Sequence, residues 1–261
     1  MRARVPAIVT LACALTLAGG PAAFAQGESA TPDSGQASKP DSAKAPSKPE
    51  GTKVLGKHAA AAPAAVTVDA VVKSIDAQIA KLEVNKKDAG WRTKLKLPTV
   101  AKFDPAKSYF ARMVTNKGTM LIKFKPDVAP MHVTNFIYLA RMGYFDGLRF
   151  HRVIKGFMAQ GGDPLGNGTG GPGYQFNGEF SPKALHNAPG VLSTANAGPG
   201  TDGSQFFIMF RAYPSLDGKY SIFGQVEEGL ETLRAIEAAG NPGDGPPLEP
   251  LSITKVTIEV R

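Results

Sequence analysis

The densest run of chemistry-bearing side chains is Phe150-His151-Arg152-Val153-Ile154-Lys155-Gly156-Phe157-Met158-Ala159-Gln160-Gly161-Gly162-Asp163. Alternate residues of a strand share a face, so Phe150, Arg152 and Ile154 are expected side by side. The Arg152 guanidinium is a planar donor fork that stays charged at any working pH. Among aromatic and Met groups it reads either as a fixed donor or as a surface cation stacked on an apolar patch. The side taken by Phe157, Met158 and Gln160 is open, because Gly156 interrupts the register. A second cluster runs Leu192-Ser193-Thr194-Ala195-Asn196-Ala197-Gly198-Pro199, then Asp202-Gly203-Ser204-Gln205-Phe206-Phe207-Ile208. Small residues beside an Asn, followed by a polar and aromatic strand, suit a groove that a peptide backbone approaches closely. Residues 198–203 suit an ordinary wide turn equally well.

Other chemistries find little support. Ser204 has no His or Asp partner at motif spacing, which argues against a serine hydrolase. Gly166-Asn167-Gly168-Thr169-Gly170-Gly171 lacks the Lys-Ser/Thr ending of a phosphate loop and reads as a strained surface loop. Asp244-Gly245-Pro246-Pro247 reads as a turn before the last strand. The single Cys13 excludes an internal disulfide framework and a Cys-clustered zinc site. His58, His132, His151 and His186 show no metal-ligand spacing. Neither a metal nor a cofactor is expected.

The elements that must position these clusters are mainly β. Tyr109–Thr115 and Met120–Phe124 flank the turn Asn116-Lys117-Gly118. A helix starts at Pro130, presents Phe136, Ile137, Leu139 and Ala140, and stops at Gly143. Short strands are predicted over Arg149–Val153, Phe157–Gln160, Gly190–Ser193, Gln205–Phe210 and Ser221–Val226. A second helix covers Leu230–Ala238 up to Gly240, and Ile253–Val260 closes the chain. Many short strands, Gly/Pro loops and two helices favour an antiparallel barrel with helices at its openings over a sandwich.

Taken together, FHRVIKGFMAQGGD, LSTANAGPGTDGSQFFI and LDGKYSIFG, in that order, resemble the cyclophilin family of peptidyl-prolyl cis–trans isomerases. The resemblance spans about residues 108–260. It implies a mainly β fold, a closed eight-stranded antiparallel barrel capped by two helices, and rotation about X–Pro bonds without a cofactor. By resemblance, Arg152 is the donor aimed at the prolyl nitrogen and Gln160 holds Arg152 and the substrate in place. Phe157, Met158, Phe207 and Leu216 would form the proline pocket. Ala195, Asn196 and Ala197 would hydrogen-bond the substrate backbone, with Gln205 alongside. His151 and Gly168 fall at the groove edge. The best-known eukaryotic members carry a Trp where this chain has Ser215 and a His where it has Tyr220. Catalysis is expected to survive those departures, and binding of cyclosporin to be weak. The implied partners are proline-containing segments of folding proteins.

The 30 Lys+Arg against 22 Asp+Glu give a net charge of +8 over 261 residues. Residues 1–25 carry +2, residues 26–102 carry +5 and residues 103–261 carry only +1. The excess lies upstream of the expected catalytic domain, so no nucleic-acid partner is expected. Arg2 and Arg4, an apolar stretch from Val5 to Leu17 and the ending Ala23-Phe24-Ala25 read as a signal peptide cleaved after Ala25. That stretch is too short for a transmembrane anchor. Residues 26–66, rich in Ala, Pro, Ser and Lys, are expected to be a disordered linker. Residues 67–102 hold an amphipathic helix with Val68, Val72, Ile75, Ile79 and Leu82 on one stripe, then a basic connector. The stripe leaves three uses open: packing on the following domain, self-association, or docking a partner. The chain is thus expected to be exported, to the periplasm or the exterior.

Overall fold

The computed structural model of the chain describes residues 69–261. The expected signal peptide and the 26–66 linker lie outside the described residues. Helix α1 covers Ala70–Ile79, α2 Pro130–Arg141 and α3 Leu230–Ala238. The strands are β1 (Tyr109–Thr115), β2 (Gly118–Phe124), β3 (Arg152–Ile154), β4 (Met158–Gly161), β5 (Val191–Thr194), β6 (Phe206–Met209), β7 (Ile222–Glu228) and β8 (Ile253–Val260). They form one antiparallel sheet in the order β3-β4-β6-β5-β7-β2-β1-β8.

The expected closed barrel is not formed; the sheet is a half-barrel. Its two ends, β3 and β8, share no ladder. A single bridge between Arg149 and Ser252, with Phe150 N–H to Leu251 C=O at 3.0 Å, Ile253 N–H to Leu148 C=O at 2.8 Å and Gly147 N–H to Ile253 C=O at 2.8 Å, ties the flanking chain together. The approach to β8 contains Pro246, Pro247 and Pro250, which have no N–H to give a ladder. The free edge of β3 is covered instead by the loop after α3. Lys155 N–H donates to Asn241 C=O (2.9 Å), Asn241 N–H to Val153 C=O (2.7 Å) and Val153 N–H to Gly245 C=O (3.3 Å). A covered edge cannot recruit another chain.

Helices α2 and α3 pack on this sheet, and α1 packs against α2. Asp69 caps α1 by accepting from Val71 N–H (2.8 Å) and Val72 N–H (3.4 Å), as an N-terminal carboxylate should. The helix ends before Leu82, because the last turn tightens: Leu82 N–H bonds Ile79 C=O at 3.0 Å. Arg141 at the end of α2 holds Asp76 with two bonds, 2.8 and 2.7 Å. Val71, Ile75, Trp91 and Leu95 belong to the same core as Ile137, Phe145, Phe206 and Ile236. Residues 69–102 therefore share the core of residues 103–261. Gly173 shows why the contact is close: at φ +98° it admits Thr93 C=O where a Cβ would lie 2.6 Å from that oxygen.

Alternation divides the sheet. Val153, Ala159, Leu192 and Ile208 face the main core, while Met158, Val191, Phe207 and Met209 face a second, smaller cluster. The site lies on that second face. Phe150 does not join Arg152 there, contrary to the alternation expected from sequence. β3 begins only at Arg152, and the irregular chain before it turns Phe150 into the main core, edge-on to Phe206 at 6.3 Å.

Candidate active site

Cross-strand register brings the predicted polar pair together. Arg152 stands opposite Gln160 in the β3–β4 ladder, and Gln160 opposite Phe207 in β4–β6. Arg152 Nη1 donates to Gln160 Oε1 at 3.2 Å. Gln160, itself buried, donates from Nε2 to Gln205 Oε1 at 3.0 Å. Gln205 Nε2 then donates to the carbonyls of Gly168 (3.0 Å) and Gly170 (2.8 Å). Two adjacent strands, the glycine loop that follows them and the distant Gln205 thus form one hydrogen-bonded row whose members fix each other's orientation. The last two links need the chain to pass very close at Gly162, where φ is +83° and a Cβ would strike the Ser204 carbonyl.

Beside this row the apolar residues converge. Phe157, Met158, Phe207 and Leu216 form one buried cluster with Ala195, Met209 and Ile222, and Tyr213 and Tyr220 pack on its rim. Tyr220 meets Phe207 edge-on at 5.6 Å, and Phe157 lies 4.7 Å from Tyr213. Leu216 is delivered by a short 3-10 turn, Pro214–Leu216.

The Ala195–Ala197 segment forms a neighbouring wall. Ala195 N–H is already donated to Gln205 C=O (3.0 Å) and Ala197 N–H to Thr201 Oγ1 (2.8 Å). Asn196 is held by its side chain, Nδ2 to Asp202 Oδ1 at 2.8 Å. A cavity of about 560 Å³ lies along this wall, lined by Gly168, Gly170, Ala195, Ala197 and Gln205, and on the far side by Thr93 of the segment before the domain. His151 packs beside Gly168, but it lines a separate cavity of about 230 Å³ with Arg149, Gly166 and Pro246 rather than this one. Both ring nitrogens of His151 are buried without a hydrogen-bond partner among the described residues. Burial pushes the His151 ring below the ordinary imidazole value, Arg152 and Arg149 act in the same sense, and Asp163 opposes them.

Three features escaped sequence reasoning. Asp244, read as part of a turn, clasps Arg152: Nε donates to Oδ1 at 2.6 Å and Nη2 to Oδ2 at 3.0 Å. His132 lies between Glu179 (Nδ1 to Oε2, 2.6 Å) and Asp202 (Nε2 to Oδ2, 2.9 Å), and so braces the carboxylate that holds Asn196. Glu179 also accepts the Met131 and His132 amides of α2, whose cap Ala129 offers no side chain. His186 faces Asp217 with Nδ1 (2.9 Å) and Ser193 Oγ with Nε2 (3.1 Å), stacked on Phe207 at 6.0 Å. That is the connectivity of a hydrolytic triad, but Ser193 and His186 are both 0% exposed. No substrate reaches the hydroxyl, and the group acts as a support beneath the apolar cluster. Asp202 and Ser193 lay inside the cluster that the sequence singled out for the groove, and Asp217 inside LDGKYSIFG; His132, Glu179 and His186 lay outside these motifs, and Asp244 was read only as part of a turn.

The family model described as cyclophilin type peptidyl-prolyl cis-trans isomerase/CLD matches residues 110–258. Peptidyl-prolyl cis-trans isomerase B of Streptomyces anulatus is 45% identical over 174 residues, 60% of this chain and 99% of that protein. Peptidyl-prolyl cis-trans isomerase CYP18-1 of Arabidopsis thaliana is 47% identical over 148 residues, 55% of this chain and 92% of that protein. A crystal structure of the Cryptosporidium parvum cyclophilin type isomerase cgd2_1660, in the presence of the dipeptide Ala-Pro, aligns with a TM-score of 0.55 at 36% identity, covering 57% of this chain and 98% of that one. With the family matched over more than half its length, the chain belongs to the cyclophilin-type peptidyl-prolyl cis-trans isomerases.

Proposed function

We infer that the groove on the outer face of β3, β4 and β6 rotates X–Pro bonds in proteins that fold after export. The observation that carries the catalytic reading is the position of Arg152: a fork tied to Gln160, at the edge of an apolar cluster of Phe157, Met158, Phe207 and Leu216. The barrier to peptide rotation, about 18–20 kcal/mol, comes from partial double-bond character of the C–N bond. A proline ring seated in the apolar cluster would place its nitrogen beside the guanidinium. Hydrogen bonding to that nitrogen draws its lone pair away from the carbonyl, so the C–N bond turns as a single bond. No covalent bond breaks, and no cofactor is needed for this step. The fork is held before substrate arrives, so little reorganisation accompanies the rotation.

Carbonyls of Ala195, Asn196 and Ala197 are the groups through which this wall would meet a peptide backbone, since two of its amides are already donated. The 560 Å³ cavity beside it would take residues preceding the proline. A proline-containing dipeptide accompanied the Cryptosporidium parvum relative, and a proline-containing segment is the substrate we assign here. Helix α1 is read as a domain element rather than a dimerisation helix, because Val71, Val72 and Ile75 are buried within the chain.

Export is supported by residues 1–25, with their basic start, apolar stretch and Ala23-Phe24-Ala25 ending. Among the described residues no helix is long and apolar enough to cross a membrane. Periplasmic or extracellular residence makes unfolded exported chains the clients. Expression of the full sequence in a bacterial host tests this: the processed protein should begin at Gln26 and leave the cytoplasm. An unprocessed cytoplasmic product refutes export, and a prolyl-peptide isomerisation assay tests the activity separately.

A further inference from the structure

The geometry points to Asp244 as a positioning residue of the isomerase, which sets the angle of the Arg152 fork from outside the groove. Its placement follows from the fold. β3 is an end strand, and the loop after α3 covers its free edge through Asn241 and Gly245. Asn241 braces the loop, its Oδ1 accepting from Gly243 N–H at 2.9 Å. The turn between these two anchors therefore delivers residue 244 beside the first residue of β3.

A guanidinium has five N–H donors in one plane. Asp244 takes the Nε edge with two parallel bonds, 2.6 and 3.0 Å, and Gln160 takes one hydrogen of Nη1 at 3.2 Å. One hydrogen on Nη1 and one on Nη2 remain. Two partners on different elements define the plane and leave those donors to the substrate. Gln160 alone fixes one point, about which the fork could turn. A bidentate carboxylate removes that freedom. Their exposures differ: the Arg152 side chain is 13% exposed and that of Asp244 69%. The carboxylate therefore sits largely in water, where it orients the fork without cancelling its charge in the groove.

This inference rests on the reading of Arg152 as the donor, and the test separates the two. Full-length protein carrying Asp244→Ala, Asp244→Asn, Arg152→Ala, or both alanine changes is assayed on a prolyl peptide over a range of concentrations. Melting temperatures are recorded alongside. Asp244→Ala should lower kcat about threefold to tenfold with KM unchanged, the cost of a misaimed but present group. Asp244→Asn, which keeps one acceptor, should fall between the two. In the Arg152→Ala background the Asp244 change should have no further effect, because its role runs through that side chain. A normal or raised kcat in Asp244→Ala, with Arg152→Ala impaired, overturns the positioning role alone. An equal loss in both backgrounds also overturns it. Full activity in Arg152→Ala removes the donor assignment and this inference with it.

Discussion

Arg152 and Gln160 face each other across the β3–β4 ladder, with Nη1 of the first donating to Oε1 of the second at 3.2 Å. Among the described residues, Gln160 is also the side chain that links Arg152 to Gln205 and the glycine loop. Replacing it with Ala strands two hydrogen-bonding groups, Arg152 Nη1 and Gln205 Oε1, in a poorly hydrated place. An unsatisfied buried partner costs about 1–3 kcal/mol. Gln160→Ala should therefore lower kcat/KM about tenfold and also reduce Tm. Steady-state kinetics with thermal melts check this; wild-type kinetics would mean that the row does not orient the fork.

The two buried histidines should pull stability in opposite directions with pH. Burial opposes charge on His132, but hydrogen bonds to Asp202 and Glu179 outweigh it and raise its pKa. Its contribution is present in full below the unfolded value of about 6.5 and fades as pH rises through the folded one. For His186 burial prevails over Asp217 and lowers the pKa. That contribution is present above about 6.5 and is lost as pH falls toward the folded value. Removing one partner of a buried charged pair costs about 3–5 kcal/mol, or on the order of 10 °C in Tm for a domain of this size. His132→Ala should show that deficit at pH 6 and a smaller one as pH rises through the folded-state value. His186→Gln should flatten the acid side of the curve. Tm measured across pH decides, and parallel curves for both variants and the wild type would contradict the assignment.

Trp91 is 8% exposed, packs edge-on to Tyr144 at 6.1 Å, and precedes Arg92, which donates to the Tyr144 and Asp146 carbonyls. Trp91→Ala should cost about 3–5 kcal/mol. Denaturant unfolding should show one cooperative transition at a lower midpoint. Two transitions, with the main one unmoved, would mean that residues 69–102 are an appendage.

How much of this was legible in the sequence varies by element. β1, β8 and α3 have the bounds that periodicity and flanking Gly predict, because each is set by local alternation or by a terminating residue. Closure was misjudged: whether β3 meets β8 depends on where residues 241–250 run, which no local pattern encodes. The motif residues Arg152, Gln160, Gln205 and Phe207 came from resemblance and fall into one site. Asp244 sits 92 residues from Arg152, and Glu179 and Asp202 lie 47 and 70 residues from His132. Pairings across such separations are fixed by topology, so a single sequence shows the residues but not the partners.

Ser215 is exposed in the middle of the Pro214–Leu216 turn, at the position where the resemblance to the best-known eukaryotic cyclophilins implies a Trp. A hydroxymethyl group has neither the flat apolar face nor the N–H donor of Trp. Cyclosporin should bind weakly, and Ser215→Trp should tighten it at least several-fold. Calorimetric titration measures both, and a low-nanomolar Kd for the unaltered chain would refute the prediction.

The central claim is that the Arg152 fork accelerates X–Pro rotation, and the most direct measurement is isomerisation of a prolyl peptide by the full chain and by Arg152→Ala. Loss of one preorganised donor costs about 2.7–4 kcal/mol in other enzymes. The account predicts catalysis by the unaltered protein and a fall of at least about tenfold in the variant, with Tm little changed. Full activity in a well-folded Arg152→Ala protein would contradict it.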